Sequence, residues 1–212
     1  MSYSDDMHGA RNINTPDHGS AVVNTDEIAG AISGSQQAEG NVRQVSVNRW
    51  SITSRMPFES VVAAVEAEIG KPEMNQFRTR LASATTHEQM ERLVQEATAQ
   101  TGLMEFLRLD AGAVLAKAGV SGNPKSVRLI IGNPLIMQSM ARLSPDAASY
   151  APVTVLIDQR ADGVHLTYDE MTSYLAPYGN SEALEIAREL DTKVKRLLRK
   201  ASANEASPSM GD

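Results

Sequence analysis

The stretch Pro152–Glu170, PVTVLIDQRADGVHLTYDE, constrains the fold of this 212-residue chain more than any other. Two runs rich in Val, Leu, Ile, Thr and Tyr flank a short turn containing Asp162-Gly163, and Asp-Gly suits a tight turn that needs positive φ. Such a pair is an antiparallel hairpin, so an all-parallel sheet is excluded. In the second run Val164, Leu166 and Tyr168 alternate with His165, Thr167 and Asp169, which is the pattern of a strand with one buried and one wet face. Pro152 opens the first run, where its missing N–H needs no partner.

The rest of the chain supplies three more strands and several helices. VSVNRWSIT (45–53) reads as a strand with a bulge or a late start near Asn48, LMEFLRL (103–109) as another, and VRLIIG (127–132) as a third. Pro57 sits at a first helical position, and Phe58, Val61, Val62, Val65 and Ile69 recur at helical spacing up to Gly70. Residues 72–101 read as two helices. Pro72 opens one bearing Met74, Phe77 and Leu81, and Thr85 with Glu88, or Thr86 with Gln89, offers a capping box for one bearing Met90, Leu93, Val94 and Ala97. Asp110 is a natural N-cap for AGAVLAKAG, and Asn133-Pro134 starts a helix through Leu143. The last helix, from Ser181, carries its acids early and its bases late, in agreement with the helix dipole. Strands that cluster late and end in a hairpin give an α+β class, with helices against one face of a mainly antiparallel sheet.

Residues 1–42 are rich in Ser, Gly, Asn and Asp with only short apolar islands, and are expected to be a disordered N-terminal tail. A single α+β domain is expected over residues 43–200, and a second disordered tail over 201–212. Of the net charge of −6, residues 1–40 hold −5, from six acids and one Arg, leaving −1 for the remainder. A nearly neutral body argues against nonspecific nucleic-acid binding. Cysteine is absent, which removes disulfides and thiolate chemistry and fits a reducing, cytoplasmic setting. No apolar run reaches the roughly 18–20 residues of a membrane span, so no membrane association is expected. With three Phe and one Trp, aromatic stacking is a poor candidate for function.

Neither GxGxxG nor GxxxxGK[ST] occurs, and HExxH and GxSxG are missing too. The one turn with ligand-binding chemistry is Gly132-Asn133-Pro134. Gly132 allows close backbone approach, Asn133 caps, Pro134 presets helical φ, and the first N–H groups of the helix are able to face an anion. Any strand-to-helix corner would choose the same three residues. His165, Thr167 and Asp169 share a strand face, which suits acid–base or metal chemistry and equally suits a solvated surface. The basic end of the last helix reads as a salt-bridged solvent face, and Met137 and Met140 as core.

The segments LRLDAGAVLAKAG, RLIIGNPLIMQSM, YAPVTVLIDQRADG and ELDTKVKRLL, in that order and spacing, resemble the bacterial and archaeal family catalogued as domain of unknown function 302, over about residues 43–198. The resemblance implies a two-layer α+β fold like that of TATA-box-binding proteins, with a curved sheet backed by helices and often dimeric. It implies no reaction and no cofactor, and it marks residues 72–101 as a helical insertion. Many relatives carry Cys at or beside the position of Gly132 and at that of Val153, so a thiol or metal role there does not carry over; Arg108 stands where many have Glu.

The leading expectation is a noncatalytic domain binding a small anionic or amphipathic molecule near Gly132, Asn133 and Pro134, with Asp110 and Arg108 nearby; no catalytic residue, metal ligand or cofactor is assigned. A homodimer is expected. The alternatives are an enzyme of unknown reaction using Asp110, Asn133 and His165, and a dimeric interaction scaffold whose insertion holds a partner.

Overall fold

Alternating apolar residues build five strands: β1 (Arg49–Ser54), β2 (Met104–Asp110), β3 (Ser126–Gly132), β4 (Val153–Arg160) and β5 (Gly163–Asp169). In the computed structural model, which describes residues 40–122 and 124–203, they form one sheet in the order β1-β5-β4-β3-β2. Every neighbouring pair is antiparallel. Of the two readings of the first strand, the late start holds: β1 begins at Arg49. The described residues from Gln44 onward make one unit; of the tails expected at 1–42 and 201–212, residues 1–39 and 204–212 lie outside the described residues, and residues 201–203 belong to the last helix.

The helices among the described residues are α1 (Phe58–Glu68), α2 (Met74–Ser83), α3 (His87–Ala97), α4 (Ala111–Lys117), α5 (Pro134–Leu143), α6 (Met171–Leu175) and α7 (Ser181–Ala203). Val127, Leu129 and Ile131 of β3, Val155 and Ile157 of β4 and Val164 and Leu166 of β5 pack beneath Val61 and Val65 of α1 and Val194 and Leu198 of α7. Their burial removes apolar surface at about 25 cal/mol per Å² and leaves the other sheet face without a helical layer. The last helix continues past residue 200 because Ala201, 1% exposed, still belongs to that core.

The segment 72–101 forms two helices with a small core of their own: Phe77, Val94 and Met104, flanked by Met74, Leu81, Met90, Phe106 and Leu135. Glu73 caps α2 by accepting from the N–H groups of Asn75 (3.0 Å) and Gln76 (2.7 Å), so the helix opens at Met74, two residues after Pro72. Thr86 caps α3 through the N–H of Gln89, while the Gln89 carbonyl reaches back to the N–H of Thr85 at 2.8 Å. Of the two capping alternatives, Thr86 with Gln89 holds, and Thr85 bonds to the Gln89 side chain and not to Glu88. Gly70 is where this unit meets the domain, since a Cβ there would stand 1.9 Å from the carbonyl oxygen of Ala97.

At the hairpin Arg160 pairs with Gly163, so the two-residue loop is Ala161-Asp162 and the glycine opens β5 with φ of 144°. A Cβ at Gly163 would lie 2.6 Å from the Ser54 carbonyl oxygen, so the side-chain-free position also lets the end of β1 close against the hairpin. The 3-10 turns at Pro145–Ser149 and Ala176–Tyr178 went unread in the sequence, as did one α-helix, α6, whose start is held from far along the chain. Asp191 of α7, 4% exposed, accepts from the N–H of Met171 (2.7 Å), the N–H and hydroxyl of Thr172 (3.1 and 2.7 Å) and the Tyr168 hydroxyl (2.6 Å). Four donors satisfy a buried carboxylate that would otherwise be costly. Burial first, and the adjacent Asp191 second, push the Tyr168 hydroxyl well above the usual tyrosine range.

Candidate functional site

The corner at Gly132-Asn133-Pro134 is internally complete. The Asn133 Oδ1 accepts from the N–H groups of Leu135 (2.8 Å) and Ile136 (3.4 Å), and its Nδ2 donates to the Gly102 carbonyl at 2.8 Å. The side chain thus takes up two of the N–H groups that an anion would use. Gly132 faces Pro152 so closely that an added Cβ would lie 3.0 Å from the proline Cβ. Asp110 caps α4 through the N–H of Ala113 at 2.8 Å. Arg108, on the helix-layer side of edge strand β2, ion-pairs with Glu66 of α1.

These residues are not brought together. Met104 pairs with Gly132 and Asp110 pairs with Val127, so Asp110 and Asn133 stand at opposite ends of β2 and β3, about 20 Å apart at strand rise. His165 lies three strands from Asp110, on the order of 14 Å across the sheet and on its other face. It approaches the Asp162 carboxylate at 2.8 Å. Asp110, Asn133 and His165 therefore share no cavity. Among the described residues no group of three or more His, Cys, Asp and Glu is placed to hold a metal ion.

The open face of the sheet carries a different constellation. One row across the strands reads Ser51, Thr167, Leu156, Arg128 and Leu109, so the Arg128 guanidinium rises between two leucines, with Ile130 two places along its strand. Its Nη2 donates to the Thr154 hydroxyl at 3.3 Å. The other two arginines of this face are tied down: Arg49 grips Asp169 through two bonds of 2.7 and 2.8 Å, and Arg160 grips Asp158 at 2.6 and 3.3 Å. Arg49 holds the Asp169 carboxyl below the usual carboxylate range. Burial, then the charge of Asp169, raises the Tyr174 hydroxyl.

Two adjoining hollows of about 410 and 550 Å³ share Arg128, Thr154 and Asp169. The smaller runs toward Ser51, Leu156 and Arg160; the larger runs toward Ile130, Pro152, Tyr150 and Tyr174. Volumes of this size suit a small molecule. The Tyr150 and Tyr174 rings stack with centroids 4.7 Å apart and planes at 17°, and the Tyr150 and Tyr178 hydroxyls meet at 2.8 Å. Three of the five tyrosines thus gather at one place, which the low aromatic count does not disclose. Arg128 did leave a sequence signal: it is the one charge within VRLIIG, at a position that alternation puts opposite the core.

Residues 79–201 match the family model described as domain of unknown function DUF302. The chain belongs to the DUF302 family. The match opens inside α2 and closes in α7, so it spans strands β2 to β5 and the whole open face except β1. The crystal structure of an uncharacterised conserved DUF302 protein from Bacillus stearothermophilus superposes with a TM-score of 0.52 at 12% identity, covering 72% of this chain and 97% of that one. At that identity the likeness concerns the DUF302 fold alone. No curated protein matches the sequence. No helix among the described residues is long and apolar enough to cross a membrane.

Proposed function

We propose that this DUF302 domain is a noncatalytic, cytoplasmic binding domain for a small amphipathic anion, held on the open face of the sheet. The observation that carries the reading is Arg128: a guanidinium set between Leu156 and Leu109, bonded to a hydroxyl and not to a carboxylate. Arg128 is exposed and bonded to no carboxylate, so its guanidinium is open to an anion arriving from solvent, and Leu156 and Leu109 beside it offer apolar contact. The adjoining hollows supply apolar contact for the remainder of such a molecule. The Gly132-Asn133-Pro134 corner, with Asp110 and Arg108, stays outside the proposed site because each polar side chain there already serves a cap or an ion pair.

Titration calorimetry with octanoate tests this. Binding is expected to fall about tenfold or more in Arg128→Gln, the loss of one charge-assisted hydrogen bond. Equal affinity in the two proteins, or no binding by the wild type, would sink the reading.

A second reading, a homodimeric interaction scaffold, is favoured by one observation. Of the seven large apolar side chains exposed among the described residues, five (Leu107, Leu109, Val114, Leu115 and Val120) lie within fourteen residues on edge strand β2 and the segment after it.

A further inference from the structure

Resting on the proposed binding function, we infer that the anion is a planar monoanion, an aryl carboxylate or aryl sulfonate whose ring extends the Tyr150–Tyr174 stack while its charge meets Arg128. The geometry supplies both ends. Arg128 and the two tyrosines line the same hollow of about 550 Å³, with Ile130 and Pro152 also lining it. The rings are held before any ligand arrives: Tyr150 is tied to the Tyr178 hydroxyl at 2.8 Å, and Tyr174 stacks on Tyr150 beside Asp169, itself clamped by Arg49. Two parallel rings held in place are a slab against which a flat ligand loses little further freedom, and offset stacking is the preferred aromatic geometry. A flexible acyl chain would gain apolar contact there and nothing from the stack.

The charge count sets the valence. Arg49 and Arg160 are each neutralised by the carboxylate they grip, so one uncompensated cation remains at the shared wall of the hollows. One negative charge on the ligand brings this wall to neutrality, and a second would enter the hollows with no cation left to meet it.

The test compares 2-naphthoate with decahydro-2-naphthoate, the same skeleton saturated and thus more apolar but not flat, by calorimetry on the full chain. The wild type is expected to favour the aromatic acid about 2- to 10-fold, the range aromatic pairing provides beyond area burial. Tyr174→Leu, and independently Tyr150→Leu, should erase that preference while still binding octanoate, which reports that each variant is folded and keeps its Arg128 site. Equal affinity for the two acids in the wild type, or a preference that survives both substitutions, overturns the ring assignment and leaves the octanoate reading standing. Tighter binding of 2-naphthyl phosphate as its dianion than of 2-naphthoate overturns the monoanion assignment. If neither acid nor octanoate binds, or if Arg128→Gln leaves octanoate binding unchanged, the binding function itself falls.

Discussion

Asn133 spends both ends of its amide inside the fold, the oxygen on the first turn of α5 and the nitrogen on the Gly102 carbonyl. Asn133→Ala is therefore expected to cost about 1–3 kcal/mol in a urea titration, for a lost cap and a carbonyl left without its partner, while octanoate affinity stays at the wild-type value. A drop in affinity with stability intact would return the ligand to the corner. Asp169 gives a second residue-scale expectation. Its carboxyl is held down by Arg49, so its folded pKa lies below the unfolded value of about 3.9, and the bond adds stability above that pH which is lost as pH falls through the folded pKa. Thermal melts of wild type and Arg49→Gln should differ modestly at pH 6, since the pair is largely solvated, and converge in acid, below the folded pKa of Asp169. Melting curves that stay equally far apart at both pH values would contradict it.

At the scale of elements, most starts and stops were written locally. Thr86 with Gln89, Asp110 with its small-residue helix, and Asn133-Pro134 act within three residues of themselves, and each bonds in the structure as capping chemistry requires. The hairpin register was less legible, because Gly163 answers to the backbone of Ser54 more than 100 residues earlier as well as to its own turn. Short α6 lay beyond reach for the same kind of reason: its N-terminus is capped by Asp191, twenty residues later on another helix. The α2–α3 unit rests on Met104, Phe106 and Leu135 of the domain, and its tightest crossing is Gly70 against Ala97. Gly70→Ala is expected to lower stability by about 1–3 kcal/mol, as overpacking does, with hydrogen exchange rising first over residues 74–97 and only later in β3 to β5. Uniform acceleration across both regions would show that the two cores unfold as one.

For the whole molecule, the exposed apolar residues from Leu107 to Val120 lie on strand β2, the sheet edge opposite β1, and on α4 and the turn that follow it. An edge strand with apolar neighbours invites pairing with another strand, and two copies related by a two-fold would join their sheets through it. Sedimentation at micromolar concentration is expected to give a species of two chains that Leu109→Asp with Val114→Asp converts to one; a wild type sedimenting as one chain would remove the dimer. The sequence by itself determined the class of fold, the antiparallel hairpin, most of the caps and the two helices of residues 72–101, since alternation, helical spacing and turn chemistry act between residues close in the chain. The proposed binding face exists only in the tertiary structure. Arg128 lies about forty residues before Asp169 and Tyr174, and it is the pairing of β3, β4 and β5, with α6 anchored by Asp191, that gathers them on one face; a guanidinium with no carboxylate partner there is a property of that packing.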